Sequence, residues 1–141
     1  MILSLIKLGV LIALLLYASV KDIKSREVPD SISGMMLILG LVGITAGDLR
    51  SMLLGMTLVF LPQYLAAIIN PAKALGGADI KLSSAAALLL GAPRGLFALI
   101  VGLTLSVITV PIVRKVKKLP KNQPFPLIPF LSVGILAAYI I

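Results

Sequence analysis

The sequence predicts an all-α integral membrane protein, a bundle of about six transmembrane helices in a single domain over residues 1–141. Hydrophobic residues make up 60% of the chain and charged residues only 13%, whereas a soluble domain is about half apolar and about a quarter charged. Apolar runs of about 20 residues recur, and they match the thickness of the hydrocarbon core. The mean hydropathy of +1.15 also excludes intrinsic disorder, which requires low hydrophobicity.

The first three apolar runs each predict a helix that crosses the membrane. The first run, Leu3 to Val20, resembles a signal peptide, but no small-residue cleavage site follows it, so we expect a retained helix. A polar loop from Lys21 to Asp30 separates it from a short run with three glycines, Ile32 to Ala46. After a tight connection at residues 47–50, the third run extends from Ser51 to Ile69.

Three more helices are predicted after a loop at residues 70–77, which contains an Asn-Pro and a Gly-Gly pair. The fourth run, Ala78 to Leu90, would be about 21 Å long, which is shorter than the ~30 Å hydrocarbon core. The fifth run extends from Gly95 to Val113, and a basic loop that we expect to contact anionic lipid follows from Arg114 to Lys121. A proline-rich segment then leads into a sixth run that ends at Ile141.

The distribution of basic residues predicts the orientation of this bundle. Six spans place alternate loops on opposite sides, and ten of the 13 Lys and Arg residues then fall on one side. Because basic residues collect in short cytoplasmic loops, both termini should be outside and the three basic loops in the cytoplasm. The net charge of +8 therefore indicates membrane topology rather than nucleic-acid binding.

The absence of cysteine and histidine from the sequence restricts the chemistry that the protein can perform. It excludes disulfides, thiol nucleophiles, histidine-based triads and nearly all zinc sites, and we predict neither a metal nor a cofactor. Carboxylates are the informative groups that remain. Only five occur, and four lie on the predicted cytoplasmic side, namely Asp22, Glu27, Asp30 and Asp79.

Asp22 and Asp79 are the candidate catalytic residues, because they lie at the ends of different predicted helices at one membrane boundary. An ionisable group at membrane depth costs at least ~2.5 kcal/mol, which makes it a functional candidate. Two neighbouring carboxylates share a proton. The ionised one can take a proton from water, and the protonated one can polarise a carbonyl and donate to the leaving group. Such a pair permits amide hydrolysis.

Two segments around these aspartates resemble motifs of the type IV prepilin peptidases, the GxGD-type membrane aspartic peptidases of family A24. Asp22–Asp30 has the form D-x-x-x-R-x-[IV]-P-[ND], and Gly76–Lys81 is similar to G-x-G-D-x-K, with Ala78 where the family usually has glycine. The proline-rich segment Pro124–Phe130 also resembles the family's final segment. The similarity extends over nearly the whole chain.

This resemblance implies a membrane endopeptidase that removes the basic leader of type IV pilin-like or archaellin precursors at the cytoplasmic face of the prokaryotic cell membrane. The substrate's apolar helix would dock laterally among the spans. The chain resembles the short, peptidase-only Flp-type and archaeal members, so we expect no methyltransferase activity. The resemblance implies that Asp22 and Asp79 form the catalytic pair, and it assigns supporting positions to Arg26, Pro29, Gly76, Gly77 and Lys81.

Other interpretations of the same residues stay open at this point. Asp22 could be a solvated charge at a helix end, Asp79 could cap a helix, and we favour snorkelling to the head groups for Lys81. The acids could also belong to a transporter or channel subunit that binds a cation or protons. A lipoprotein signal peptidase fits less well, because its motifs are missing and its active site would face outward.

Overall fold

Six α-helices account for most of the residues that the computed structural model describes, which are residues 1–72, 76–121 and 125–141. The prediction of an all-helical chain is therefore confirmed over these ranges. In chain order the helices are α1 (Ile2–Ser25), α2 (Asp30–Leu41), α3 (Ala46–Ile69), α4 (Gly77–Leu90), α5 (Ala92–Lys117) and α6 (Ile128–Ile140).

Helices that follow one another along the chain run in opposite directions. Gln63 near the end of α3 contacts Ser83 near the start of α4, and Asp22 near the end of α1 contacts Ile128 at the start of α6. One end of the bundle therefore carries the C-termini of α1, α3 and α5 and the N-termini of α2, α4 and α6. We call it the aspartate end, because Asp22 and Asp79 both lie there.

Helix α4 lies at the centre of the bundle, where it packs against α2, α3, α5 and α6. Eight of its residues are buried, Ile80 and the continuous stretch from Leu82 to Leu88. Five of these are Ser or Ala, small side chains that let neighbouring helices approach closely. Because α4 is enclosed by protein rather than lipid, its length of about 21 Å is compatible with a central position.

Three helices among the described residues, α1, α3 and α5, are long and apolar enough to cross a membrane. Helices α2 and α6 are apolar but have only 12 and 13 residues. Large apolar side chains remain exposed on the long helices, such as Leu16 at 62% and Ile100 at 62%. This pattern is consistent with a membrane protein, whereas the count of six spans and the sides of the termini and loops stay predictions.

Several helix ends differ from the sequence-based boundaries. Helix α1 continues through Ser25, although a loop was expected from Lys21, because Arg26 adopts a left-handed conformation (φ 58°) and closes the helix only there. The expected connection at residues 47–50 is instead the first turn of α3. Thr45 and Asp48 form a capping box there, in which the backbone N–H and the hydroxyl of Thr45 both donate to the Asp48 carboxylate.

Helices α2 and α5 also end at other residues than expected. Helix α2 stops at Leu41 rather than Ala46, and Gly43 follows with a φ of 71°. Helix α5 extends from Ala92 to Lys117, four residues beyond the expected end at Val113. The basic residues of this last turn were assigned to a loop, but positive charge is favourable at a helix C-terminus.

Helices α5 and α6 approach each other closely at Gly134. A Cβ atom at this position would collide with the carbonyl oxygen of Ala98 and lie 2.9 Å from the backbone nitrogen of Gly102. Both of these neighbours are backbone atoms, which cannot rotate away as a flexible side chain would. Glycine at position 134 is therefore required by the spacing of the two helices.

We expect Gly134→Ala to destabilise the fold by about 1–3 kcal/mol, the usual cost of an added methyl group without space. The matched control is Gly9→Ala on α1, where a Cβ would meet nothing within 4 Å. Thermal unfolding of both variants in detergent micelles measures the difference. Equal unfolding midpoints for the two variants would contradict the close approach.

Candidate active site

Asp22 is held at the inner face of α1. The buried residues of this helix, Leu11, Leu15, Ala18 and Asp22, recur every three or four positions and form one stripe that faces the core. The Asp22 side chain is only 8% exposed. Its position at the end of an apolar stripe explains how the sequence brings a carboxylate inside the bundle.

The start of α6 supplies a hydrogen-bond donor to Asp22. Ile128 donates its backbone N–H to Oδ2 of Asp22 at 3.0 Å. The first N–H groups of a helix have no partner within the helix, and a negative charge is favourable beside them. The buried Asp22 carboxylate therefore gains a hydrogen-bond donor, and the start of α6 gains an acceptor for a free N–H group.

Asp79 is the third residue of α4 and is positioned by the start of its own helix. Its carboxylate lies beside Gly76, the N-cap residue of α4. A Cβ atom on Gly76 would lie only 3.1 Å from Oδ2 of Asp79, whereas a Cβ on Gly77 would meet nothing within 4 Å. The absence of a side chain at Gly76 therefore leaves room for the Asp79 carboxylate.

Ala78 does not strain the chain at the position where the resembling family usually has glycine. It lies in the first turn of α4, and the only non-glycine residues with positive φ in the described ranges are Arg26 and Lys118. An alanine is well tolerated in a helical turn. The departure from the motif is therefore compatible with the conformation of this segment.

Asp22 and Asp79 line one cavity of about 620 Å³ at the aspartate end. The two side chains are near enough for the charge of Asp22 to act on Asp79. Two arginines, Arg26 and Arg114, line the same cavity. Its volume is in the range of ligand-binding pockets. The remaining lining residues are Gly76, Ser106, Val107, Val110, Pro111, Phe125 and Leu127.

The second half of α5 forms a long wall of this cavity. Val107, Val110 and Arg114 recur at helical spacing and lie on one face of the helix. Gly102 packs against Leu131, which puts the start of α6 beside about residue 105. Helix α5 therefore extends about 12 residues, or about 18 Å, past the start of α6. Val107 is 72% exposed although it lines the cavity.

Lys81 points away from the two aspartates and binds Asp30. Its Nζ lies 2.9 Å from Oδ1 of Asp30, with the two side chains 52% and 74% exposed. The pair joins the first turn of α2 to α4. The favoured interpretation of Lys81 as a snorkelling residue therefore misses its protein partner, which belongs to the other motif segment.

The other residues of the first motif surround the cavity or define helix ends. Arg26 closes α1 and lines the cavity. Pro29 precedes α2 in an extended conformation as its N-cap residue. Glu27 is exposed and does not belong to the cavity lining. Pro124 of the proline-rich segment lies outside the described residues.

Sequence reasoning overlooked a polar contact below Asp79. Gln63 is 8% exposed, and its Nε2 donates to the Val59 carbonyl oxygen at 2.7 Å and to Ser83 Oγ at 3.1 Å. Ser83 lies one turn after Asp79, so this contact fixes α4 against α3 beneath the carboxylate. A signal for this contact was present in the sequence, because Gln63 continues the spacing of the inward-facing residues of α3. These residues are Met52, Gly55, Val59 and Gln63.

Arg114 was assigned to a basic loop expected to contact anionic lipid, but it lies in α5 and is part of the cavity wall. Its Nη1 donates to the Lys121 carbonyl oxygen at 3.0 Å. The spacing from Ser106 through Val110 to Arg114, four residues at each step, could have placed it on the inner face of a longer α5. Within the described ranges, no three Asp or Glu side chains gather as metal ligands would.

Comparison with known protein families assigns the chain to one of them. The family model described as the type IV leader peptidase family matches residues 9–112. The chain belongs to the type IV leader peptidase family. The match includes both candidate aspartates and ends before the proline-rich segment, and it confirms the resemblance found in the sequence. No curated protein and no solved structure matches the chain.

Membership in the type IV leader peptidase family gives the cavity a chemical context. A leader peptidase hydrolyses a peptide bond, and paired carboxylates are one means of doing so. The three membrane-capable helices and the family together indicate a membrane-bound peptidase. The Asp30–Lys81 pair lies outside the cavity and connects the two motif segments of this leader peptidase.

A double-mutant cycle on Asp30→Asn and Lys81→Gln should give a coupling of about 0.2–1 kcal/mol, because exposed ion pairs contribute only this much. Unfolding of the two single variants and the double variant in detergent, at low and at high salt, measures it. The coupling should shrink at high salt. Strictly additive losses at low salt would show that the two charges do not interact.

Proposed function

We propose that this chain is an aspartic endopeptidase that removes the basic leader of pilin-like precursors at the cytoplasmic face of a prokaryotic cell membrane. The observation that carries this proposal is the lining of one cavity by Asp22 and Asp79. Family membership supports peptidase activity. The collection of basic residues at the aspartate end supports the cytoplasmic orientation.

The surroundings of the two carboxylates suggest different roles for them. Asp22 receives the backbone N–H of Ile128 and lies near the positive charge of Arg26. Asp79 lies beside Gly76 and faces the negative charge of Asp22. Negative charge is therefore better stabilised on Asp22. In this proposal Asp22 is the carboxylate that acts as general base, and Asp79 carries the shared proton.

The hydrolytic step follows from these roles. Asp22 takes a proton from water as the water oxygen bonds to the scissile carbonyl carbon. Asp79 donates a hydrogen bond that polarises the carbonyl oxygen, and its proton passes to the leaving nitrogen as the C–N bond breaks. The pair retains one proton at the end, now on Asp22, and transfer to Asp79 restores the starting state.

The shape of the cavity favours a substrate that contains an apolar helix. Val107 and Val110 present an apolar wall along α5, and Val107 is largely exposed. A precursor helix that lies in the membrane can pack against this wall without leaving the hydrocarbon. Its polar leader would then extend beyond the aspartate end, with the junction beside Asp22 and Asp79.

We expect Asp22→Asn and Asp79→Asn each to reduce cleavage of a synthetic precursor, a basic leader joined to an apolar helix, by about 10²–10⁴-fold. Asp48→Asn is the matched control, because Asp48 lies at the opposite end of the bundle in the α3 cap and should keep its activity. Mass spectrometry of the products in detergent micelles measures the cleavage rate.

Normal cleavage by either aspartate variant would refute the catalytic pair. A different pair of results would favour the transporter interpretation. In that case the wild-type protein does not cleave the peptide, and liposomes that contain it show a cation flux that the Asp79→Asn substitution abolishes. Circular dichroism and size-exclusion chromatography of each variant establish that it inserts and folds.

The two glycines before Asp79 should differ in their effect on catalysis. Gly76→Ala places a methyl group 3.1 Å from the Asp79 carboxylate oxygen and displaces it, so we expect about a tenfold lower kcat. Gly77→Ala fills open space and should keep kcat within about twofold. The same peptide assay measures both. A larger loss for Gly77→Ala than for Gly76→Ala would contradict the geometry.

A further inference from the structure

A second cavity, of about 330 Å³, lies beside the catalytic one at the aspartate end. The end of α1, the last turns of α5 and the segment before α6 enclose it. Two basic residues line it, Arg26 and Lys117, and the described part of its lining contains no carboxylate. The site is therefore positively charged, and a negatively charged ligand would complement it.

The rest of this cavity is apolar and partly aromatic. Phe125 and Phe130 both line it, and their rings are stacked with centroids 6.1 Å apart. Ile23, which is 58% exposed on the outer side of α1, and Val113 of α5 also contribute. The lining thus combines two cations with an apolar surface that continues toward the exposed sides of α1 and α5.

We propose that this cavity binds one anionic phospholipid, such as a phosphatidylglycerol. The phosphate would lie between Arg26 and Lys117, and the glycerol and upper acyl chains would pack on Phe125, Phe130 and Ile23. Basic pockets between membrane helices bind lipid head groups in this manner. A basic peptide leader is excluded from the cavity by charge, and a small soluble anion would leave the apolar surface uncovered.

The position of the cavity in the bundle supports a lipid as its occupant. Helix α1 ends at Ser25 and Arg26 closes it, so the Arg26 guanidinium lies where an apolar helix of membrane-spanning length terminates. Lys117 is the last residue of α5. A head group at the edge of a bilayer would meet both cations because their side chains line the same cavity, and its chains would meet the apolar side chains.

The test compares two lysines that differ in position but not in chemistry. Lys117 lines the cavity, whereas Lys115, in the same turn of α5, lines a different one. The full chain, purified in detergent, is titrated with phosphatidylglycerol or with phosphatidylcholine of identical acyl chains. Native mass spectrometry then counts the lipids retained on each protein molecule.

We expect the wild type to retain one phosphatidylglycerol in preference to phosphatidylcholine. Lys117→Gln should weaken this binding about fivefold, the effect of one basic residue near an anionic head group. Lys115→Gln should change it by less than about twofold, and Lys117→Arg should retain it. Unfolding midpoints near that of the wild type show that the variants are folded.

Three outcomes would overturn the proposal. Equal losses for Lys117→Gln and Lys115→Gln would indicate attraction to the basic surface as a whole. Equal retention of phosphatidylcholine would indicate an apolar groove without charge recognition. Displacement of the lipid by millimolar glycerol phosphate would indicate a site for soluble anions. Because lipid retention does not depend on cleavage, these results are separate from those that test the proposed peptidase activity.

Discussion

The hydrogen bond between the Asp22 carboxylate and the backbone N–H of Ile128 is the contact on which the site depends. A carboxylate cannot be buried without donors, and the start of α6 has N–H groups without partners. Pro129, the second residue of α6, removes one of these N–H groups. The bond joins residues 106 positions apart. About one turn further into the bundle, a second hydrogen bond joins α1 to α6, between the hydroxyls of Ser19 and Ser132 at 3.0 Å.

The two motif segments are related by helix geometry as well as by chemistry. Asp79 and Lys81 are two residues apart, and side chains at this spacing lie on different faces of a helix. The acid therefore lines the cavity while the lysine binds Asp30 of the first segment. Each segment contributes one acid to the cavity and one charge to the ion pair outside it, so the same short motifs supply both cavity acids and help to join α2 to α4.

Composition and hydropathy were enough to predict the helices, and the scarcity of carboxylates together with the family resemblance singled out Asp22 and Asp79. Boundaries were harder to predict. Polar residues such as Lys21 and Arg114 were assigned to loops, although caps and favourable end charges extend α1 and α5 through them. Arg114 and Gln63 were missed because their roles depend on which face of a long helix meets its neighbours, and an apolar run fixes that face only weakly.

The first and last helices of the chain are fastened together at both ends, by Asp22 and Ile128 at one and by the Tyr139 hydroxyl and the Ser4 carbonyl oxygen, 3.1 Å apart, at the other. Ribosomes deliver α1 long before α6. The Ile128 donor for Asp22 is thus absent until α6 has been made. A polypeptide without α6 would carry both acids but not the Ile128 donor, so the buried environment of Asp22 is completed only once α6 has been synthesised.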